Sequence, residues 1–541
     1  MNLCRATLAP IAALVFLCVA LPLARAQKPL APRPIQIENG KLLGVLTPDQ
    51  QVIAYKGIPY AQPPLEELRW RPPMPVGKWK HVLFAQDFGP HCLQSGTWPD
   101  MTFHDSGPSE DCLTLNVWAP ANAHPDKKSP RLPVMVWIYG GGFGSGGTSE
   151  SRQDGQYLAH RGVIVVSMNY RLGIFGFFAH PELTAESPNH TSGNYGLLDQ
   201  AAALAWVKRN IAAFGGDPAN VTLFGESAGS ESVSEQMASP LTAGLFAKAI
   251  GESGAGFPDN EPAFPTRERA EQINAAWAER AFGSSRMFFL RQLPADEILK
   301  AATSTKAGTP HFSPILDGVF LPDTLPHIFA DAKQAHIPVL AGWNATEDHP
   351  DRIPTEQAST AQGFTAQAQA QFGAAAPQFL SLYPASTDAD AARSADDYSG
   401  DLFTAFDTWA WLEAHTRTGN APVYRYFFDL PSPGDRYHKL SDGAFHSDDI
   451  EYVFGTLDSR AGMTVRPEDR ALSDQMQQYW TNFARTGDPN GPNLPKWPVY
   501  NATGSYPVMH LDRSPTAQPD ALRPRYLFLD SIWGSTGTSP K

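Results

Sequence analysis

The sequence predicts an α/β fold in which a central, mostly parallel twisted sheet is flanked by helices. Three observations carry the prediction. Two runs, Leu132-Pro133-Val134-Met135-Val136-Trp137-Ile138 and Gly162-Val163-Ile164-Val165-Val166-Ser167-Met168, are almost wholly apolar, which suits strands buried on both faces. Gly196-Leu197-Leu198-Asp199-Gln200 then runs into Ala201 to Ile211, where apolar residues recur at helical spacing. A further strand, Asn220-Val221-Thr222-Leu223-Phe224, passes directly into Gly225-Glu226-Ser227-Ala228-Gly229 at the head of another helix. Strand, helix, strand, sharp turn and helix is the order in which a doubly wound sheet is laid down.

Taken in chain order, Met1 to Ala26 reads as a cleaved export signal. Arg5 precedes an apolar stretch from Leu8 to Leu23, and Ala24-Arg25-Ala26 supplies a small-x-small cleavage site. The stretch is shorter than the ~20 residues of a membrane span, and Pro22 interrupts its end. The remaining 27–541 is expected to form a single domain, since no repeat, low-complexity tract or long linker divides it. From about residue 35 to 70 the chain reads as antiparallel strands, Gly44-Val45-Leu46 and Val52-Ile53-Ala54-Tyr55, and Leu113 to Trp118 alternates like another. Beyond the sharp turn, Ile337 to Ala341 and Val423 to Phe428 are expected as further sheet strands. Arg267 to Ala307 is helical in pattern and is placed as a cover over the mouth of the site.

The net charge of −13 excludes a nucleic-acid partner as the main reading, because such binding depends on Lys and Arg neutralising phosphates. Export removes Cys4 and Cys18, so the mature chain keeps Cys92 and Cys112, which in an oxidising compartment are expected to bond. The protein is therefore expected to be periplasmic or secreted.

The turn at Ser227 is the chemical centre. Two glycines allow a bend tight enough to present a hydroxyl at its apex, and Gly-x-Ser-x-Gly occurs once in this form. Gly251-Glu252-Ser253-Gly254-Ala255 opens the same way but has Ala in the last place, so Ser253 is read as structural. A serine hydroxyl needs a base and oxyanion donors to act as a nucleophile. Tyr139-Gly140-Gly141-Gly142-Phe143 follows a buried strand and offers unobstructed N–H groups. Gly141 and Gly142, with the N–H of Ala228, are the candidate oxyanion hole.

These residues resemble a known family. Phe214-Gly215-Gly216-Asp217-Pro218 running into the Ser227 turn is similar to the serine signature of type-B carboxylesterases, and Glu110-Asp111-Cys112-Leu113-Thr114-Leu115-Asn116-Val117 resembles the second signature. Trp137 to Phe143 and Asn169-Tyr170-Arg171-Leu172-Gly173 look like the oxyanion loop and its following segment. The resemblance runs from about Gly44 to about Pro489 and implies an α/β-hydrolase fold with helical cap insertions over an active-site gorge. It implies a Ser-acid-His triad in that chain order. Gly342-Trp343-Asn344-Ala345-Thr346-Glu347 resembles the acid segment and points to Glu347, with Asp348 as a competitor. Gly443-Ala444-Phe445-His446 resembles the histidine segment and points to His446, with His438 and His349 as rivals. Carried over residue by residue, the likeness also implies a Cys92–Cys112 disulfide, ion pairs Arg69 with Glu110 and Arg171 with Asp199, and Ser253 bonded near the triad acid.

The expected function is hydrolysis of a small-to-medium organic ester through an acyl-enzyme on Ser227, with no metal or organic cofactor. Amide, carbamate or lactone cleavage by the same triad is the alternative, as is a non-catalytic binding relative. Glu226, Trp98 and Phe143 are the candidate pocket residues. Gly308 and Pro310 stand where cholinesterases of this family narrow their acyl pocket with aromatics, which implies a roomier acyl site here. The expected partner is a small-molecule ester, with neither nucleic acid nor a membrane anchor, and the sequence leaves monomer or dimer open.

Overall fold

The structure, a computed structural model, describes residues 32–94, 96, 98–123, 130–257, 264–306, 308–347, 360–439, 443–500 and 504–533. The export-signal segment and the rivals Asp348 and His349 lie outside the described residues.

Eleven strands form the main sheet: β1 (Val45–Leu46), β2 (Val52–Pro59), β3 (Thr114–Pro120), β4 (Leu132–Ile138), β5 (Ile164–Met168), β6 (Gly216–Glu226), β7 (Lys248–Glu252), β8 (Val339–Asn344), β9 (Val423–Phe428), β10 (Pro507–Leu511) and β11 (Thr516–Pro519). Their spatial order is β11-β10-β9-β8-β7-β6-β4-β5-β3-β2-β1. The run from β10 to β5 is parallel, and antiparallel strands finish both ends. A small three-stranded sheet of Ile35–Gln36, Lys41–Leu43 and Val82–Phe84 stands apart.

The apolar runs have the predicted cause. Val134 to Ile138 and Ile164 to Val166 have no exposed surface, because helices cover both faces of the parallel strands. The long helix between β5 and β6, α1 (Tyr195–Asn210), is held to the sheet by a buried ion pair. Arg171 Nε and Nη2 donate to Asp199 at 2.7 and 2.8 Å. Losing either partner strands the other charge, at about 3–5 kcal/mol. The expected pair Arg69–Glu110 also forms, with Arg69 Nη1 donating on to the carbonyl of Leu293 at 2.8 Å.

Three helices occupy the stretch read as a cover: α3 (Arg267–Phe282), α4 (Met287–Leu290) and α5 (Ala295–Ala302), following α2 (Ala228–Ala238) in the chain. Thr266 caps the first of them through its side chain, and Gly283 ends it at φ 75°, a left-handed turn suited to glycine. Between residues 388 and 418 two helices, α6 (Asp388–Gly400) and α7 (Phe406–Thr418), are joined by a π-helical turn at Asp401–Ala405. Further along lie α8 (Ile450–Phe454), α9 (Pro467–Thr486) and α10 (Arg523–Trp533). The Cys92–Cys112 disulfide is present and closes the loop that contains Trp98.

Candidate active site

The site forms where the carboxyl ends of β6, β7 and β8 meet, the edge of a parallel sheet at which crossover loops collect. Register brings the ends level, since Glu226 of β6 pairs with Glu252 of β7, and Glu252 with Gly342 of β8. Ser227 and Ser253 directly follow β6 and β7, and Glu347 comes three residues past Asn344 at the end of β8.

Ser227 sits between β6 and α2 at φ 55°, ψ −128°, a conformation that costs a non-glycine residue about 1–3 kcal/mol. Its N–H donates to Glu252 O at 2.8 Å, and its carbonyl accepts from Glu231 N–H at 2.9 Å, so both neighbours hold the bend. The flanking glycines are needed for space. A Cβ on Gly229 would lie 2.1 Å from Ile138 O and one on Gly225 would lie 2.5 Å from Gly229 O, and across the site one on Gly140 would lie 2.8 Å from Ser227 Cβ. Gly141 (φ 112°) and Gly142 (φ 61°) turn the chain beside the serine. Ala228 opens α2, where the first N–H groups have no intrahelical acceptor and the helix dipole is positive.

Glu347 and His446 meet because their loops pair. Thr346 bridges Phe445 in parallel register, and Thr346 N–H donates to Ala444 O at 2.9 Å. Glu347 Oε2 lies 2.6 Å from His446 Nδ1, while Oε1 accepts from Ser253 Oγ at 2.6 Å and from the N–H of Asn344. His438 is elsewhere: it stacks on Phe445 with ring centres 3.7 Å apart and bonds Asp435.

Glu226 takes a part that its place in the motif only hinted at. Its Oε1 is 3.2 Å from His446 Nε2, a close charge contact. Burial pushes the Glu226 carboxyl up to about 8, with His446 pulling it back. For His446, burial disfavours the imidazolium, but Glu226 and then Glu347 outweigh it and push the ring up to about 9. The ring keeps 24% of its side-chain surface exposed, so water moderates the push.

Behind them lies a ring of acids that sequence reading missed. Asp449 accepts from Tyr426 Oη at 2.8 Å, and burial pushes it up to about 6. Glu252 accepts from Trp480 Nε1 at 2.7 Å, and burial holds its carboxyl well above the usual range. Phe403, on the π-helical turn, meets the His446 ring edge-on at 4.8 Å. Only the acidic character of Ser447 to Glu451 could have signalled any of these.

A cavity of about 360 Å³ opens above Gly141 and Gly142. Trp98, Leu172, Ile174, Leu299 and Phe312 line it, and Pro310 stands in its wall. The end of α5 lines this cavity through Leu299 and Ala302. Of the pocket candidates, Trp98 is in the wall and 61% exposed, Glu226 lies below at the histidine, and Phe143 is buried edge-on against Phe177. A separate hollow of about 470 Å³ on the far side of Glu347 is lined by Asp390, Arg393, Asp397 and Arg525, away from Ser227.

Comparison with known proteins shows the family and the fold. The carboxylesterase family model matches residues 31–527. The fumonisin B1 esterase of Sphingopyxis macrogoltabida is 36% identical over 496 residues, covering 86% of this chain and 84% of that protein. The para-nitrobenzyl esterase of Bacillus subtilis (strain 168) is 36% identical over 481 residues, covering 86% and 92%. A solved PNB esterase structure superposes with a TM-score of 0.76 at 34% identity, over 92% of this chain and 99% of that one. The fold is the α/β-hydrolase fold, and the chain belongs to the carboxylesterase family, as a carboxylic ester hydrolase.

Proposed function

We propose that this esterase cleaves small-to-medium organic esters through an acyl-enzyme on Ser227. The Ser227 oxygen attacks the ester carbonyl while His446 Nε2 takes its proton, and Glu347 holds the imidazole by Nδ1 and offsets its charge. The carbonyl oxygen, now negative, is received by the N–H groups of Gly141, Gly142 and Ala228, each worth about 3–4 kcal/mol by analogy with measured donors. The alcohol leaves with the proton from His446. Water, activated by the same histidine, then releases the acid and restores Ser227.

The observation that carries the reading is the Glu347–His446 contact of 2.6 Å at the strand ends where Ser227 is presented on its bend. The mainly apolar walls of the cavity support an uncharged, moderately bulky acyl group. The two bacterial relatives are named for different esters, so neither name is carried to this chain. Met1 to Ala26 is proposed as an export signal ahead of a single catalytic domain, and the disulfide supports a periplasmic or secreted destination.

A p-nitrophenyl ester chain-length series on the mature protein and on Ser227→Ala tests this. Loss of about 10³-fold or more in the variant is expected, with the preferred chain length sizing the acyl site. Equal activity in both removes Ser227 from the role. Faster cleavage of matched amides, carbamates or lactones than of esters replaces the substrate class.

A further inference from the structure

Arg152 lies in the short 3₁₀ turn Ser151–Gln153, ten residues past the oxyanion glycine Gly142, and was not marked by any motif. Its side chain is 11% exposed. Nε donates to Glu150 Oε2 at 2.9 Å, and Nη1 donates to Asp100 Oδ2 at 3.0 Å and reaches Ser447 Oγ at 3.5 Å. Its own carbonyl accepts from Thr456 Oγ1 at 2.6 Å. Asp100 belongs to the loop closed by Cys92–Cys112, the loop that also carries Trp98 into the cavity wall. Ser447 directly follows His446 and is held at φ 68°. One guanidinium thus spans the disulfide loop, the segment after the oxyanion glycines and the histidine turn. Its planar fork is what allows several fixed contacts at once.

The charges around it explain why a cation is needed. Glu150 and Asp100 face Arg152 directly, and Glu451 of α8 and Glu226 of β6 face it at longer range. Glu451 is also held by Arg460, at 2.6 Å. His446 in turn is faced by Glu226, Glu347 and Asp449, and Glu252 of β7 lies behind Asp449 and Glu226. Each of these carboxylates favours the imidazolium, and the buried positive charge of Arg152 beside them opposes that push.

We propose that Arg152 is a positioning residue for ester hydrolysis: it ties the disulfide-closed loop, through Asp100, to the turn carrying His446, and its charge offsets the carboxylates that crowd Glu226 and the imidazole. The inference rests on the catalytic roles given above to Ser227, Glu347 and His446. Removing the charge makes the surroundings of His446 more negative and favours its protonated form. Removing Asp100 leaves Arg152 less neutralised and disfavours that form. The two changes therefore move the acid limb of activity in opposite directions, which loss of a purely structural contact would not do.

The experiment measures kcat/KM for p-nitrophenyl butyrate against pH on the full mature chain, Arg152→Gln, Arg152→Lys and Asp100→Asn. Active sites are counted in each with a fluorophosphonate, and the labelled residue is identified by mass spectrometry. In Arg152→Gln the acid limb is expected to rise by about half a unit to one unit, and in Asp100→Asn to fall by a few tenths. Arg152→Lys is expected to keep the limb within about 0.2 units while losing several-fold in kcat, because the charge remains and the fork does not. An unmoved limb in an Arg152→Gln enzyme that titrates fully overturns the proposal. Should that variant not fold, Asp100→Asn decides, and an unmoved or raised limb there overturns it equally. If the fluorophosphonate labels a residue other than Ser227 in the parent, the catalytic reading fails instead, and the label tells the two failures apart.

Discussion

Glu347→Gln changes one atom of the side chain and removes its charge. The side chain is 1% exposed, so the amide has to use the contacts that the carboxylate leaves. Oε2 meets His446 Nδ1 at 2.6 Å, and Oε1 receives both Ser253 Oγ and Asn344 N–H. If the amide oxygen faces His446, its NH₂ opposes the Asn344 N–H, donor against donor, at a cost of roughly 1–2 kcal/mol. If the amide is turned over, its NH₂ faces Nδ1 and drives the ring proton to Nε2, the nitrogen that must accept from Ser227. Either way the imidazolium formed during attack loses a counter-charge worth about 4 kcal/mol at ~4 Å and an effective dielectric near 20. Together these predict a fall of about 10³- to 10⁴-fold in kcat. His446, relieved of one carboxylate, also becomes neutral at a lower pH, so the acid limb of kcat/KM moves down. Stopped-flow release of p-nitrophenol, with active-site counting and a thermal melt to confirm folding, reads both effects. A folded variant that loses less than tenfold refutes the orienting role.

Other changes are expected to read as clearly. Glu226→Gln removes the largest upward push on His446, so the acid limb of kcat/KM shifts to lower pH by about one unit; a pH-rate profile that does not move contradicts the pairing at 3.2 Å. Gly229→Ala drives a methyl to 2.1 Å from Ile138 O and must reshape the Ser227 bend, with at least ~10²-fold loss of fluorophosphonate labelling rate expected in protein that still folds. Pro310→Phe fills part of the wall of the 360 Å³ cavity and is expected to move the preferred p-nitrophenyl ester to a shorter acyl chain; an unchanged chain-length profile places the acyl group elsewhere.

Much of the frame was legible in the chain because it rests on local rules. Short apolar runs suit strands covered on both faces, and β4 and β9, the latter with Arg425 buried within it, appear with the bounds their patterns suggest. The Ser227 bend declares itself because glycine is needed on both sides of it for space. Other parts were not legible. β7 was read only as a near miss of the serine motif, since Lys248 to Glu252 carries a polar residue at each end. Those ends have partners: Lys248 reaches Asn220, and Glu252 takes the indole N–H of Trp480. The helices Ala361–Phe372 and Asp388–Gly400 leave little signal because their alanine-rich composition has little contrast between faces.

The sequence by itself determined the strand–helix order and the sharp turn that presents Ser227, and through resemblance it pointed to Glu347 and His446 as the proposed acid and histidine. Those are properties of short segments, where spacing and side-chain size act within a few residues. Tertiary structure alone decided that Glu226 lies against His446, that Asp449 and Glu252 stand behind it, and that Arg152 joins the disulfide loop to the histidine turn. Charge effects act through space between residues far apart in the chain, as Glu226 and His446 are. Their strength depends on how much water burial removes, and no local pattern records that.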